Sequence, residues 1–481
     1  MAITLEMLEP LDPWRWRLPR RGDMRTDGVV LADRDLLERL AGDGTLDQLH
    51  GVACLPGIVG PALAMPDAHQ GYGFPIGGVA AFDPREGVVC PGGVGYDINC
   101  GVRLYRSKLQ AAELGPERLT RLADALAAGV PAGVGVGGAR GLAEADLLRV
   151  MELGAAWAVG RGLGTPADLE FCEAGGALAG ADPAAVSQRA RQRGRGQAGS
   201  LGAGNHFLEL AQVEEIYDPL AAQVFGLEPG QLVAWVHSGS RGLGHQVCDD
   251  YLRILAKDPQ ALHPRDRQLV ATPPGSPHGQ AYLAAMASAA NYAFNNRQML
   301  GQLLRDIAQQ TLGLGPAALG LGLLYDVAHN VAKLETHQVA GRPRQLWVHR
   351  KGATRALGPG HPELPDRYRA VGQPVLVPGD MGRASYVLKG SARAELETFA
   401  SSAHGAGRAM SRSQAKKLGQ GRRLEEELLA RRVLVRAKSR ATLAEEMPEA
   451  YKDVAQVVGV MHNSGLAALV ARTRPLAVIK G

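Results

Sequence analysis

Glycine constrains this chain more than any other residue: 62 of the 481 positions are glycine, against a usual share of roughly 7%. The glycines follow no fixed repeat. They gather at residues 66–78, 93–101, 199–209, 235–242 and 401–408, each of which also holds a histidine or an aspartate–cysteine pair. Glycine lets the backbone turn tightly and approach a bound group closely, as phosphate-binding loops require. The fold must therefore supply many tight turns at places that also carry reactive side chains.

Composition sets the outer limits. Hydrophobic residues make up 46% and charged residues 21%, which excludes a disordered, collagenous or fibrous chain and predicts a globular protein with ample core. At ~150 residues per domain the length suggests about three domains or one large one. A net charge of +5 is too small for a basic coat over the whole surface, so any polyanion site is local. Cys54, Cys90, Cys100, Cys172 and Cys248 are irregularly spaced and read as free thiols in a reducing compartment. Glu6 and Glu9 stand where a signal peptide would be basic and then apolar, and no apolar run reaches the ~18 residues of a membrane span. The expectation is a cytoplasmic protein without membrane contact.

Short β-type runs at 87–90, 102–105, 232–236, 345–348, 374–377 and 385–388 alternate irregularly with helical patterns at 117–128, 142–159, 246–256, 280–312, 408–418 and 423–436. This irregular order predicts a mixed α+β fold rather than a doubly wound sheet. Residues 187–200 carry Arg189, Arg191, Arg193 and Arg195 at alternate positions among Gly and Gln. They read as a solvated loop or a mobile arm that touches phosphates. Residues 133–138, Val134 among them, match a dinucleotide-binding glycine pattern. They follow a helix-like run and have no well-placed acid after them, so nicotinamide binding is not expected.

Asp97 and Cys100 are three apart in a glycine-framed loop, where a carboxylate and a thiolate can converge on one cation and the thiolate can bridge two. Alone, such a cysteine is ordinarily structural. His206, His237 and His329 share a similar setting, and His237 and His329 close apolar β-type runs, where a strand end presents a side chain rigidly. Three such histidines with the Asp-x-x-Cys loop predict one or two metal sites with open positions, and thiolate plus imidazole favours zinc. His404 precedes Gly405, Ala406, Gly407 and Arg408, then Arg412, Lys416 and Lys417 on a probable helix. The backbone N–H groups of that turn and an arginine fork suit phosphate oxygens. The pattern leaves open whether His404 is ligand, acid–base or nucleophile.

Segments 95–101, 202–209, 237–242, 325–337, 348–355, 401–408 and 475–481, in this order, resemble those of the RtcB-type RNA-splicing ligases, GTP-dependent enzymes that join RNA ends. The resemblance implies that Asp97, Cys100 and His206 hold one manganese ion. Cys100 would bridge to a second held by His237 and His329, giving two Mn2+ where the donor set alone suggests zinc. It implies that His404 becomes guanylylated. Around the guanylate would stand Asn205, His206, Phe207, Leu208, Glu209, His329, Asn330, Pro378, Gly379, Asp380, Met381, Ser385, His404, Gly405, Ala406, Gly407 and Lys480. Where the family usually has serine, this loop has Asp380, with Arg383 shortly after; an acid beside phosphates is unfavourable unless paired. RNA contacts are expected from Arg189, Arg191, Arg193, Arg408 and Arg412.

The implied fold is one α+β catalytic unit over 1–481, its sheets surrounding a central metal and nucleotide site, because ligands from 97 to 329, a nucleophile at 404 and a lysine at 480 cannot belong to separable domains. The implied activity joins a 2′,3′-cyclic phosphate or 3′-phosphate RNA end to a 5′-hydroxyl end with GTP, in tRNA splicing or RNA repair. The partners would be tRNA halves or broken RNA and an archease-type activator. The other readings are a binuclear metallophosphodiesterase acting on RNA and a non-catalytic RNA-binding protein with a structural metal. Glu209, Lys480 and the His404 turn favour a nucleotide donor, which neither alternative needs.

Overall fold

A computed structural model describes residues 3–133, 135–264 and 266–481; Val134 of the glycine pattern at 133–138 lies outside them. The chain is α+β, built on two large sheets. One has seven strands in the order Glu9–Asp12, Arg15–Leu18, Gly28–Leu31, Ile58–His69, Ile76–Phe82, Arg342–Lys351 and Asn330–Val339. The other has eight: Pro374–Val377, Ser385–Gly390, Ala467–Lys480, Phe207–Ile216, Gln231–Ser238, Gly101–Gln110 and Gly322–Ala328, with Leu434–Ala437 parallel to the end of Ala467–Lys480. A small ladder joins Ala353–Arg355 to Ser401–Ala403. Among the described residues, no helix is long and apolar enough to cross a membrane.

Register in the eight-stranded sheet gathers residues that are far apart in sequence. Gly101 pairs with both Ser238 and Ala328, Phe207 pairs with His237, and Lys480 pairs with Phe207. Side chains just before Gly101, just before Phe207, at the end of Gln231–Ser238, just after Ala328 and at position 480 thus emerge at one end of the sheet. The ladder of Ala353 with Ala403 delivers His404, the next residue along, to the same place.

The helix Pro277–Leu312 backs this end. Ser276 caps it, its side chain accepting from Gly279 N, and Gly313 closes it in the left-handed region. Its middle is polar yet buried. Asn296 Nδ2 donates to Ser200 O and Gly239 O, at 3.0 and 3.1 Å. Arg297 donates to Asn99 O at 2.7 Å, Ser238 O at 3.1 Å and the Asp326 carboxylate at 2.8 Å. Arg297 and Asp326 are fully buried, a pair that is costly to break because the survivor keeps an uncompensated charge.

Several sequence expectations are corrected. Residues 87–90 form no strand and contribute only a bridge from Val89 to Thr272. The helix expected over 142–159 is two, Glu144–Leu153 and Ala155–Val159, because Gly154 adopts φ 58° and ψ −136° between them. The helix expected over 423–436 ends at Ala430; Arg432 is left-handed and Leu434–Ala437 becomes a strand, which suits β-branched Val435. The helix after His404 starts at Arg412 rather than at 408. The arginine-rich stretch is no mobile arm but the helix Gln188–Arg195, capped by Ser187 and seated through Ala190 and Gly194.

Candidate active site

Cys100 lies at the centre. Its Sγ stands 3.2 Å from His206 Nε2 and 3.3 Å from His237 Nε2. His206 Nε2 is 2.8 Å from Asp97 Oδ2, and His237 Nε2 is 3.3 Å from His329 Nε2. Two ligand sets result, Asp97–Cys100–His206 and Cys100–His237–His329, the atoms of each within 4.8 Å of one another. Metal–nitrogen bonds of ~2.0 Å and metal–sulfur bonds of ~2.3 Å give ligand-to-ligand edges in roughly this range. Burial, then the neighbouring imidazoles, holds His237 and His329 well below the ordinary histidine value, so both are neutral donors. Burial and then Asp97 push the Cys100 thiol up, leaving a site in which a cation would favour the thiolate. Two ring nitrogens of neutral imidazoles facing each other beside a sulfur fit one or two cations, and Cys100 belongs to both sets.

Asp97 is held from behind: Ser240 N donates to its Oδ1 at 3.0 Å. Burial would raise its carboxyl, but His206 keeps it low. Gly239 is needed beside it, since a Cβ there would come within 2.3 Å of Asp97 Oδ1.

The ring of His404 lies 4.8 Å from that of His329, centroid to centroid. Its Nδ1–H donates to Asp67 Oδ2 at 2.6 Å, and its backbone N and that of Gly405 donate to the same oxygen at 3.0 and 3.3 Å. A carboxylate only accepts, so the proton sits on Nδ1, and in the neutral ring Nε2 carries the lone pair. Gly407 allows the turn: it has φ +69°, and a Cβ there would sit 2.1 Å from Asp67 O. Lys452 donates to Pro66 O and Ala68 O on either side of Asp67. Asp67→Asn can offer an amide hydrogen to Nδ1 and select the wrong tautomer. Any reaction in which His404 attacks through Nε2 should then slow by about 10³–10⁴-fold with folding unchanged, as a single-turnover rate would record.

Asp97, Cys100, His237, His329 and His404 open on a cavity of about 410 Å3, whereas His206, held against Asp97 and Cys100, does not line it. Asn205, Phe207, Glu209, Asn330, Pro378, Gly379, Asp380, Met381, Gly405, Ala406, Gly407, Arg408, Arg412 and Lys480 line it too. Leu208 does not; it alternates into the core behind its strand. Ser385 stands behind the loop, accepting from Gly379 N at 3.2 Å. Arg189, Arg191 and Arg193 do not line the cavity. Arg191 pairs with Glu144 at 3.2 Å, and Arg193 donates to Gln246 at 3.0 Å. Arg408 pairs with Glu446 at 3.2 Å and lies over the Tyr451 ring.

Two buried acids, Glu209 and Asp380, face the cavity. Glu209 Oε1 has no hydrogen-bond partner among the described residues, and burial, then Asp380, raises its carboxyl to about 8. Asp380 is itself raised to about 6 by burial, against the pull of Arg383, whose Nε stands 3.0 Å from Asp380 Oδ2. The acid in this loop is therefore paired. Lys480 is buried, donates to Gly204 O at 3.0 Å and stands 3.4 Å from Glu446 Oε2. The sequence reading gave no role to Asp67, Lys452 or Glu446; only the position of Asp67 two residues before His69, in a glycine-rich segment, hinted at one.

Fold and cavity together define an α+β protein built around a buried thiol–imidazole–carboxylate centre beside an oriented histidine. The chain belongs to the tRNA-splicing ligase RtcB family, whose model matches residues 48–481. It is 51% identical over 477 residues to the tRNA-splicing ligase RtcB of Thermococcus kodakarensis, covering 98% of this chain and 99% of that one. It is 48% identical over 479 residues to the tRNA-splicing ligase RtcB of Archaeoglobus fulgidus, covering 99% of both. With the RNA-splicing ligase RtcB of Mycobacterium tuberculosis it shares 52% over 439 residues, 90% of this chain and 100% of the relative. The resemblance read from the motifs is borne out.

Proposed function

We propose that this chain is an RNA ligase that seals a 3′-phosphate or 2′,3′-cyclic phosphate end to a 5′-hydroxyl end, using GTP, as one catalytic unit spanning 1–481. One observation supports this above the rest. His404, oriented through Nδ1 by Asp67, opens on the same cavity as members of both ligand sets and a buried glutamate whose Oε1 has no partner among the described residues.

After water opens any cyclic end, three displacements follow. His404 Nε2 attacks the α-phosphorus of GTP and pyrophosphate leaves. A 3′-phosphate oxygen of the RNA then attacks the same phosphorus, and His404 leaves with its lone pair restored. The 5′-hydroxyl oxygen finally attacks the RNA phosphorus, loses its proton, and GMP departs. Asp67 stabilises the charge that His404 carries while it is guanylylated. Asp97, Cys100, His206, His237 and His329 would hold two divalent cations, which offset charge on the phosphates. By resemblance these are Mn2+; the donor set would also take zinc, so metal supply decides. The RNA substrate is assigned as tRNA halves or broken RNA, with an archease-type activator as a candidate partner and the cytoplasm as the compartment. Arg408 and Arg412 at the cavity, with Arg189, Arg191 and Arg193 further out, are the proposed phosphate contacts.

Glu209 is assigned to the guanine, accepting from N1–H and the exocyclic amine, donors that adenine does not present in that arrangement. Only the carboxylate can accept both. In the free protein the group is protonated below about 8, so guanine binding must release a proton there. GTP affinity should rise with pH by up to about tenfold per unit, then level off above pH 8. Glu209→Gln, with a donor where an acceptor is needed, should lose ~2–4 kcal/mol of GTP-over-ATP discrimination. Competition binding with both nucleotides across pH measures both effects; flat selectivity would mean that another group reads the base. The direct test of function is joining of a 3′-phosphate strand to a 5′-hydroxyl strand with GTP. RNA cleavage without joining would identify a phosphodiesterase instead.

A further inference from the structure

The guanylate assignment uses only part of the cavity. Tyr72, Tyr96 and Lys351 line it as well, and none belongs to that set. Tyr72 and Tyr96 meet edge to face with centroids 5.3 Å apart. Tyr96 in turn lies 4.7 Å from the ring of His245, which is exposed. Three rings thus run from the residue before Asp97 to the surface. Both tyrosines are half-buried, packed against the cluster of Cys248, Leu252 and Leu255 with the rest of each ring open. Lys351 Nζ donates to Tyr72 O and to Phe74 O, which pins the loop that carries Tyr72.

Cations flank the outer end of this series. His245 and Gln246 are neighbours on the helix Arg241–Leu255, and Arg193 reaches across to Gln246 at 3.0 Å. Arg189 and Arg193 are exposed on the adjoining helix. Aromatic rings beside a cationic strip are the arrangement by which proteins hold single-stranded nucleic acid, since every base has a face to stack and every phosphate a charge.

We propose that Tyr72 and Tyr96, extended by His245, stack the terminal nucleobase of the RNA strand that carries the 5′-hydroxyl. The proposal rests on the ligase reading and adds an acceptor subsite to it. The choice of strand follows from the last displacement: GMP leaves towards the Glu209 and Lys480 wall, and an in-line attack brings the hydroxyl from the other side. The tyrosines stand on cavity wall that the guanylate does not use. Stacking is tolerant of sequence, so the subsite accepts any base.

The test places 2-aminopurine, whose emission is quenched by stacking, at the 5′-hydroxyl end of a short oligoribonucleotide, titrated with the full chain and manganese. Saturable quenching is expected. Tyr96→Leu should weaken it by roughly tenfold or more, the loss of one base–aromatic stack, and Tyr96→Phe should restore it because the ring remains. The same fluorophore at a 3′-phosphate end should stay bright. Quenching at the 3′ end instead, or full affinity in Tyr96→Leu, overturns the proposal. Guanylate labelling of the unmodified chain, run in parallel, separates the two readings: label without quenching removes the subsite alone, and quenching without label removes the ligase mechanism alone.

Discussion

Cys100→Ala should take up no guanylate from GTP at any concentration of divalent metal while remaining folded. The sulfur lies within 3.3 Å of the Nε2 atoms of both His206 and His237 and is the one ligand common to the two sets. Without it, Asp97 faces His206 and His237 faces His329, two pairs with no shared anion. Substituting groups that only support a metal ligand costs about 10–100-fold in affinity, so losing a ligand of both sets should exceed that. The fold should survive, because truncating one small buried side chain costs at most a few kcal/mol. Metal content by mass spectrometry and the circular dichroism spectrum check the two halves. Full manganese occupancy with retained activity would refute the bridging assignment. Cys54→Ala, Cys90→Ala, Cys172→Ala and Cys248→Ala should all keep guanylate uptake.

His404→Ala is the second large effect. It should eliminate covalent labelling by GTP, yet still join RNA supplied with a guanylylated 3′ end, since Cys100, His237, His329 and the acceptor side of the cavity remain. The rival nucleophiles are Lys351 and Lys480. Lys351 spends its ammonium on Tyr72 O and Phe74 O, and Lys480 is committed to Gly204 O and Glu446. Of these three groups, His404 alone has an orienting carboxylate on one nitrogen and a second nitrogen left to react. A variant that still accepts label refutes the assignment; one that also fails on pre-activated RNA shows that His404 serves the later displacements too.

The five ligands were legible in the sequence because Asp97 and Cys100 share a glycine-framed loop and the histidines have Gly, Asn or Ser beside them near strand ends. Their division into two sets came from the family resemblance and matches the two groups of the structure. The α+β class was legible from the irregular order of strand and helix patterns. The orienting Asp67 was not, because its partner His404 is 337 residues away and only folding brings them together. The helix Gln188–Arg195 looked like a loop because its buried face is only Ala190 and Gly194, too small for an amphipathic signal; Ser187 as N-cap was the available cue. Asn296 and Arg297 were hidden inside a long helix with an apolar pattern. Their role is to bond the backbone of the loops that carry Asp97, Cys100 and His237, which no periodicity reports. Asp380, which looked unfavourable beside phosphates, lies buried against Arg383 and next to Glu209 in charge. Neither relation is visible along the chain.

The central claim is that His404 becomes the carrier of GMP. The most direct measurement is incubation of the full chain with GTP labelled at the α-phosphate, in the presence of manganese, followed by peptide mapping. The account predicts one equivalent of label per chain, lost in acid, stable in alkali, and confined to the peptide containing His404. Label on a lysine-containing peptide without His404, or no label on a chain that nevertheless joins RNA ends, would contradict it.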